Sequence, residues 1–405
     1  MIKTYIPRKI YLERVKPFID KEVIKVIIGQ RRVGKSYLLF QIMDIIKGLH
    51  KNPNIVYINK ELNEFDGIKN YRDLLAYIKR KTRGQSGKHY VFIDEIQEIE
   101  KFEKALRGLQ AKGGYDLYCT GSNAYFLSSE LATHLSGRAV EIPVFGLSYA
   151  EFLEFHKLKE SQDAFIQYIK YGGLPYLMHL AKEDAVIYDY LRNIYNTILF
   201  KDVVSVHKIR NLAFLGRLVE YLADNLGSLV SAKKISDFLK SQKIKISPGV
   251  VLDYLSFLAQ AFFIFQVRRS DIQGKKIFEI NEKYYFGDLG LRHAIVGYHQ
   301  PDINKVLENL VFLHLLAAGY AVTVGQQEGG REVDFVCEKA GQRLYVQVAY
   351  LITEENKERE FGNLLAIRDN YPKIVVSMDE LSVKSEYKGV RQENIREFLF
   401  HSIKH

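Results

Sequence analysis

Residues Gly29-Gln30-Arg31-Arg32-Val33-Gly34-Lys35-Ser36 fit the pattern GxxxxGK[ST]. The apolar run Val23–Ile28 precedes them, and apolar residues at helical spacing follow over Tyr37–Lys47. No other feature restricts the fold as much, because it demands a buried strand, a glycine turn and a helix whose amino end faces an anion. The glycines let the backbone wrap a phosphate chain, so that amides from Arg31 to Ser36 point at its oxygens. Lys35 is placed to reach the β- and γ-phosphates, and the Ser36 hydroxyl to coordinate Mg2+. The expected phosphate site therefore runs from Gly29 through Ser36 to Tyr37. Arg31 and Arg32 either touch phosphate, touch a neighbour or lie in solvent, and the sequence does not choose.

A second motif agrees with the first. Tyr90-Val91-Phe92-Ile93-Asp94-Glu95 is an apolar strand ending in two acids. Asp94 is expected to hold Mg2+ with Ser36, and Glu95 to polarise the water that attacks a γ-phosphate. Leu117-Tyr118-Cys119-Thr120-Gly121-Ser122-Asn123 is a strand entering a polar turn. It brings Asn123 beside the γ-phosphate to orient that water, with Ser122 as the rival. Arg138 is a candidate arginine finger, the alternative being a surface ion pair. Acting on a neighbour, it would make the protein an oligomer.

Short apolar runs alternate with helical patterns from Val23 to about Phe155, as in a parallel sheet with crossover helices. A chain of 405 residues holds two or three domains at roughly 150 residues each. We place an N-terminal segment at 1–20, the phosphate-loop domain at 21–155, a helical linker at 156–207, and further domains at 208–290 and 291–405. Lys and Arg number 58 against 48 Asp and Glu, a net charge of +10, which favours a polyanionic partner. Cys119 and Cys337 are too few for a disulfide scaffold and sit in strand-like runs. Met1 to Ile10 lacks the apolar stretch of a secretory signal. The longest apolar stretch, Leu310 to Val324, is broken by His314 and Gly319 and is too short to span a bilayer. A cytoplasmic protein with no membrane partner is expected.

With these motifs in hand, the chain resembles the bacterial and archaeal AAA-type ATPases in which a compact P-loop domain is fused to a C-terminal domain of unknown function. The resemblance rests on Gly29–Ser36, Tyr90–Glu95, Thr120–Asn123, Leu135–Val140, Tyr171–Tyr176, Lys283–Gly290 and Arg331–Val336. It implies an ASCE-type sheet, with the strand of Thr120 between the loop strand and the strand of Asp94. It also implies binding and hydrolysis of ATP, and a winged helix.

The residues downstream carry their own pattern. Helices at Leu212–Leu226, Lys233–Lys240 and Val250–Gln260, then a ribbon of Phe262–Arg268 and Lys276–Ile280, give the layout of a winged helix-turn-helix. Between Ser231 and Tyr285 ten Lys/Arg oppose five acids, so half the excess charge lies here. That suits DNA phosphates. The third helix has Asp253 as its one charge, however, and a base-reading helix should offer Arg, Asn or Gln. Sequence-tolerant DNA contact and simple packing both remain open.

The last block has the α-β-β-β-α-β order of a restriction-endonuclease-like core. Such a site needs acids for Mg2+ and a lysine near the attacking water. Glu308 and Asp334 occupy the first two places, but the third reads Gln347-Val348-Ala349, with no ammonium at 349. Glu332 and Lys339 lack the spacing to substitute. We expect a degenerate nuclease and a structural acid pair. The alternatives to an ATPase are a slow nucleotide-gated switch and an ATP-regulated nuclease.

Overall fold

The computed structural model describes residues 5–124, 135, 137–272, 277–327, 330–379 and 385–400. Ser136 and Gln273 to Lys276 lie outside the described residues. The chain forms two compact units, Met1–Val144 with Gln260–Phe262, and Phe145–Ala259 with Phe263–His405.

In the first unit a short helix, α1 (Lys9–Val15), leads into β1 (Ile24–Ile28), α2 (Lys35–Leu49), β2 (Asn54–Asn59) and α3 (Tyr71–Thr82). Then come β3 (His89–Asp94), α4 (Phe102–Lys112), β4 (Tyr115–Gly121) and β5 (Ala139–Pro143). The strands are all parallel in the order β2-β3-β4-β1-β5. β4, ending near Thr120, lies between the loop strand β1 and the acid strand β3, as the resemblance implies. β1 and β4 are buried along their whole length, which is why most of their residues are apolar. Lys25, in the buried β1, is answered by Asp116 on β4 and lies over the Tyr118 ring. Asn70 starts α3, its side chain accepting from the amides of Arg72 and Asp73 while Asp73 answers in return. Because the strands are parallel, the carboxyl ends of β1, β3 and β4 share one edge, where such sheets place ligands.

The second unit carries an eight-stranded sheet in the order β12-β13-β11-β10-β9-β8-β6-β7. Its strands are β6 (Ile264–Asp271), β7 (Ile277–Phe286), β8 (Ala321–Gln326), β9 (Glu332–Lys339), β10 (Gln342–Val348), β11 (Lys373–Ser377), β12 (Ser385–Tyr387) and β13 (Val390–Asn394). The helices that matter below are α5 (Gln162–Tyr171), α6 (Leu212–Asp224), α7 (Ala232–Ser241), α8 (Pro248–Gln260), α9 (Leu289–Val296), α10 (Ile303–Ala317) and α11 (Glu354–Leu365).

The ribbon does not stand free as a wing. Arg269–Asp271 of β6 pair in parallel with Val324–Gln326 of β8, so β6 and β7 extend the same sheet as β8 to β13. The outer edge of β6 carries backbone donors and acceptors that need partners, and β8 supplies them.

Two motifs far apart in the chain meet in this unit. Asp288 accepts from the amide of Gly173 at 2.7 Å and from the amide of Leu291 at 3.0 Å, the second bond capping α9. A Cβ on Gly172 would lie 2.4 Å from an Asp288 oxygen, and one on Gly290 would lie 2.0 Å from the Tyr171 carbonyl oxygen. The Tyr171–Tyr176 and Lys283–Gly290 segments are thus two halves of one tight joint. Among the described residues no helix is long and apolar enough to cross a membrane. Both cysteines are buried and free.

Candidate nucleotide site

The glycine loop leaves the carboxyl end of β1 through two left-handed glycines, Gly29 with φ +151° and Gly34 with φ +96°. At Gly29 a Cβ would fall 2.1 Å from the carbonyl oxygen of Val144, so only glycine permits this approach. Lys35 is buried, and its ammonium donates to the carbonyls of Gly29 at 2.9 Å and Gln30 at 3.0 Å. The Gln30 side-chain amide is buried with neither its oxygen nor its nitrogen hydrogen-bonded among the described residues. Val33 is buried at the loop apex, whereas Arg32 and Tyr37 are exposed. Arg31 forms an ion pair with Glu61 at 3.6 Å.

Asp94 and Glu95 stand at the end of β3, both buried. The Thr120 hydroxyl donates to Asp94 and accepts the Glu95 amide at 2.9 Å, so one side chain sets both acids. Ser36 hydrogen-bonds Asp94 as well. Burial pushes the Asp94 carboxyl up and, with the neighbouring Glu95 charge, outweighs Thr120, Ser36 and Lys35. A buried carboxyl in that position is short of positive charge. Burial acts on Glu95 too, but the Lys35 charge, the Gln97 hydrogen bond and Arg31 prevail and hold its carboxyl below the ordinary value. The Glu95 backbone is left-handed, with φ +55°. For a residue with a side chain this is strain of about 1–3 kcal/mol, of the kind that gathers at functional sites.

The donor set fits a triphosphate tail and a divalent ion: a buried ammonium, a glycine cradle, an unanswered amide, a hydroxyl, and a buried acid bonded to that hydroxyl. Lys35, Ser36, Asp94 and Glu95 come together as the sequence predicts. In the turn after β4, Ser122 bonds to Glu95, and Gln97 donates to both of them. Asn123 is buried nearby in the same turn.

Arg138 is misplaced for a finger acting on its own loop. It is exposed at the amino end of β5, where its carbonyl accepts from Ile24 at the start of β1. The loop leaves the other end of β1, at Ile28, four residues on, or about 13 Å along a strand. The sequence could not show this, since only strand direction separates the two ends.

Arg8 was not anticipated. It is buried, donates from Nη1 to the carbonyl of Val33 at 3.0 Å, and lies over the Tyr11 ring. Its amide donates to Gln41 of α2 at 2.9 Å, and Gln41 donates back to Ile6. The segment before α1 thereby ties the loop apex to the helix that follows it.

A parallel sheet of this strand order, with a glycine phosphate loop after β1 and an acid pair after β3, defines a P-loop NTPase fold of AAA type. The AAA domain family model matches residues 21–153. A domain of unknown function, DUF8612, matches residues 162–302. An uncharacterized protein of Haemophilus influenzae is 38% identical over 384 residues, covering 93% of this chain and 94% of its own. An uncharacterized protein of Methanocaldococcus jannaschii is 31% identical, covering 83% of this chain and 77% of its own. Among solved structures, the Walker-type ATPase of Pyrococcus abyssi superposes with a TM-score of 0.52 at 14% identity, over 73% of this chain and 97% of that one. That likeness is one of fold. The chain belongs to the family of AAA-domain proteins that includes the Haemophilus influenzae relative.

Proposed function

We propose that the protein is a Mg2+-dependent ATPase whose nucleotide state controls partner binding by its second unit. The observation that carries this reading is the shared Thr120 clamp, which holds the Asp94 carboxylate, itself bonded to Ser36, and the backbone amide of Glu95. The loop amides from Arg31 to Ser36 and the Lys35 ammonium bind the phosphates, and Ser36 and Asp94 hold the ion. When bound, that ion neutralises charge on the β- and γ-phosphates. Glu95, ionised at neutral pH, accepts a proton from water as the water oxygen bonds to the γ-phosphorus. The bond from that phosphorus to the bridging oxygen breaks, leaving ADP and phosphate. Ser122 and Asn123 orient the water. Arg138, if it acts as a finger, acts on a neighbouring copy.

Lys35→Ala is the direct test. It removes the buried ammonium and should weaken ATP binding by at least about 100-fold, since lost charge-assisted hydrogen bonds to phosphate are worth about 1.5–3 kcal/mol each. Equilibrium binding of a fluorescent ATP analogue measures it, and undiminished affinity would remove the loop from the reading.

For the partner we propose DNA, contacted through phosphates. Lys233, Lys234, Lys240, Lys243 and Lys245 on and just after α7 are all exposed, while α8 offers Asp253 as its one charge. The winged-helix description of residues 208–290 and the nuclease-like description of 291–405 belong to this proposal. Replacing Lys233, Lys234 and Lys240 by Ala should weaken duplex binding alike for all sequences. It should also flatten the plot of log K against log salt by up to about 3 units. An unchanged slope would place DNA elsewhere or nowhere.

A further inference from the structure

The second unit holds a polar cavity of about 480 Å3 whose lining includes Glu308, Asp334, Gln347, Ala349, Lys305 and Arg359. The sequence pattern sets a divalent ion at Glu308 and Asp334, so the residues present can be tested against such an ion. They do not fit it. Lys283 of β7, counted in the sequence as part of a basic surface, turns inward and is buried. Its ammonium lies 2.6 Å from Glu308, 2.8 Å from Glu332 and 3.5 Å from Asp334. An ammonium has three N–H donors, and here three carboxylates from α10 and β9 surround it.

These carboxylates have further partners. The amide of Val348 donates to Asp334 Oδ2 at 2.9 Å, and the Tyr285 hydroxyl donates to the Glu308 oxygen that already faces Lys283. Gln347, standing where the pattern wants a third metal ligand, accepts the Asp334 amide at 3.3 Å and points its nitrogen at Glu360. Among the described residues no group of three or more His, Cys, Asp or Glu side chains is arranged to hold a metal ion.

We propose that the Lys283 ammonium is the resident cation of this cavity, taking the place between Glu308, Glu332 and Asp334 that a divalent ion would need, so that the second unit works without metal. Three carboxylates lie within 3.5 Å of the ammonium. The cation belongs to the chain itself, so it does not leave with chelators or fall with magnesium supply. It sits behind the carboxylates, not among the cavity's lining residues, and is not available to a water in the cavity. The proposal is independent of the ATPase reading, which concerns the other unit.

Manganese uptake by the full chain, read by electron paramagnetic resonance without nucleotide, tests it. All proteins carry Asp94→Asn, so that the acid of the nucleotide site does not contribute. With Lys283 in place, uptake should be the same whether residue 334 is Asp or is changed by Asp334→Asn. Lys283→Met, which keeps the stem and removes the charge, should take up one further manganese ion per chain. Its Tm should be lower without metal and rise by about 5 °C or more in millimolar manganese. Adding Asp334→Asn to Lys283→Met should abolish that uptake. Manganese bound with Lys283 present and lost on Asp334→Asn would overturn the proposal, as would a folded Lys283→Met chain that takes none. Should Lys283→Met fail to fold, the comparison with Lys283 in place decides: equal uptake supports the resident ammonium, unequal uptake rejects it.

Discussion

Glu95→Gln is expected to cut ATP turnover by about 10²–10⁴-fold, the usual share of a positioned general base, while leaving ATP bound. The substitution keeps the shape of the side chain, and the backbone amide of residue 95 can still donate to Thr120, so the left-handed turn survives. What it removes is the carboxylate proposed to accept the proton. Lys35 and the loop amides, proposed to carry the affinity, are untouched. Phosphate release gives the rate, and equilibrium binding of labelled ATP gives the affinity. A drop in both together would mean that Glu95 shapes the pocket instead of acting on water. The pH profile adds a sign. Lys35, Gln97 and Arg31 hold the Glu95 carboxyl below its ordinary value despite burial, so the base stays ionised as pH falls to that value. Turnover should persist to the acid side and fail only below it. Unchanged turnover in Glu95→Gln would remove the residue from its role, and hydrolysis would have to run through another group.

How much of this could be read without coordinates depends on the kind of signal. β1 and β4 are buried along their length, so Val26–Ile28 and Leu117–Cys119 appear as short apolar runs. The loop has fixed spacing because the phosphate chain has fixed geometry. Residues whose roles depend on direction or on distant packing were not legible. Arg138 lies seven residues before Phe145 in a plausible turn, yet strand polarity puts it at the wrong end of β5. Arg8 obeys no spacing rule, because it reaches Val33 through the fold of α1. Lys283 looked like surface charge, although period-2 alternation with the buried Tyr285 was a clue that it faces inward. The pairing of the ribbon's edge was hidden for a related reason. A hairpin is recognisable locally, but what pairs with its outer edge is settled by a strand some 55 residues away.

Gly290→Ala should destabilise the second unit, although helix propensity alone predicts the reverse. Gly290 sits in α9, and an exposed helical Gly→Ala change ordinarily gains about 1 kcal/mol. Here the added Cβ would stand 2.0 Å from the Tyr171 carbonyl oxygen and 2.7 Å from its carbon. Both are backbone atoms at the end of α5, so relief means moving a helix end. That end is pinned because Asp288 accepts the Gly173 amide in the same joint. Burial pushes the Asp288 carboxyl up to about 6 against three backbone amides that favour its charge, and a buried carboxyl cannot give up those donors cheaply. Overpacking of this kind costs about 1–3 kcal/mol and occasionally more, and the backbone contact argues for the upper end. The net loss should be about 2 kcal/mol, lowering Tm by about 4–8 °C. Gly216, in the middle of α6, is the internal control, because a Cβ there meets nothing within 4 Å. Gly216→Ala should raise Tm by about 2–4 °C. Opposite signs for two helical glycines, measured by calorimetry on the full chain, would locate the constraint in the Tyr171–Asp288 joint. Equal gains at both positions would show that the joint is loose, and that the Tyr171–Tyr176 and Lys283–Gly290 motifs are held together by something other than this contact.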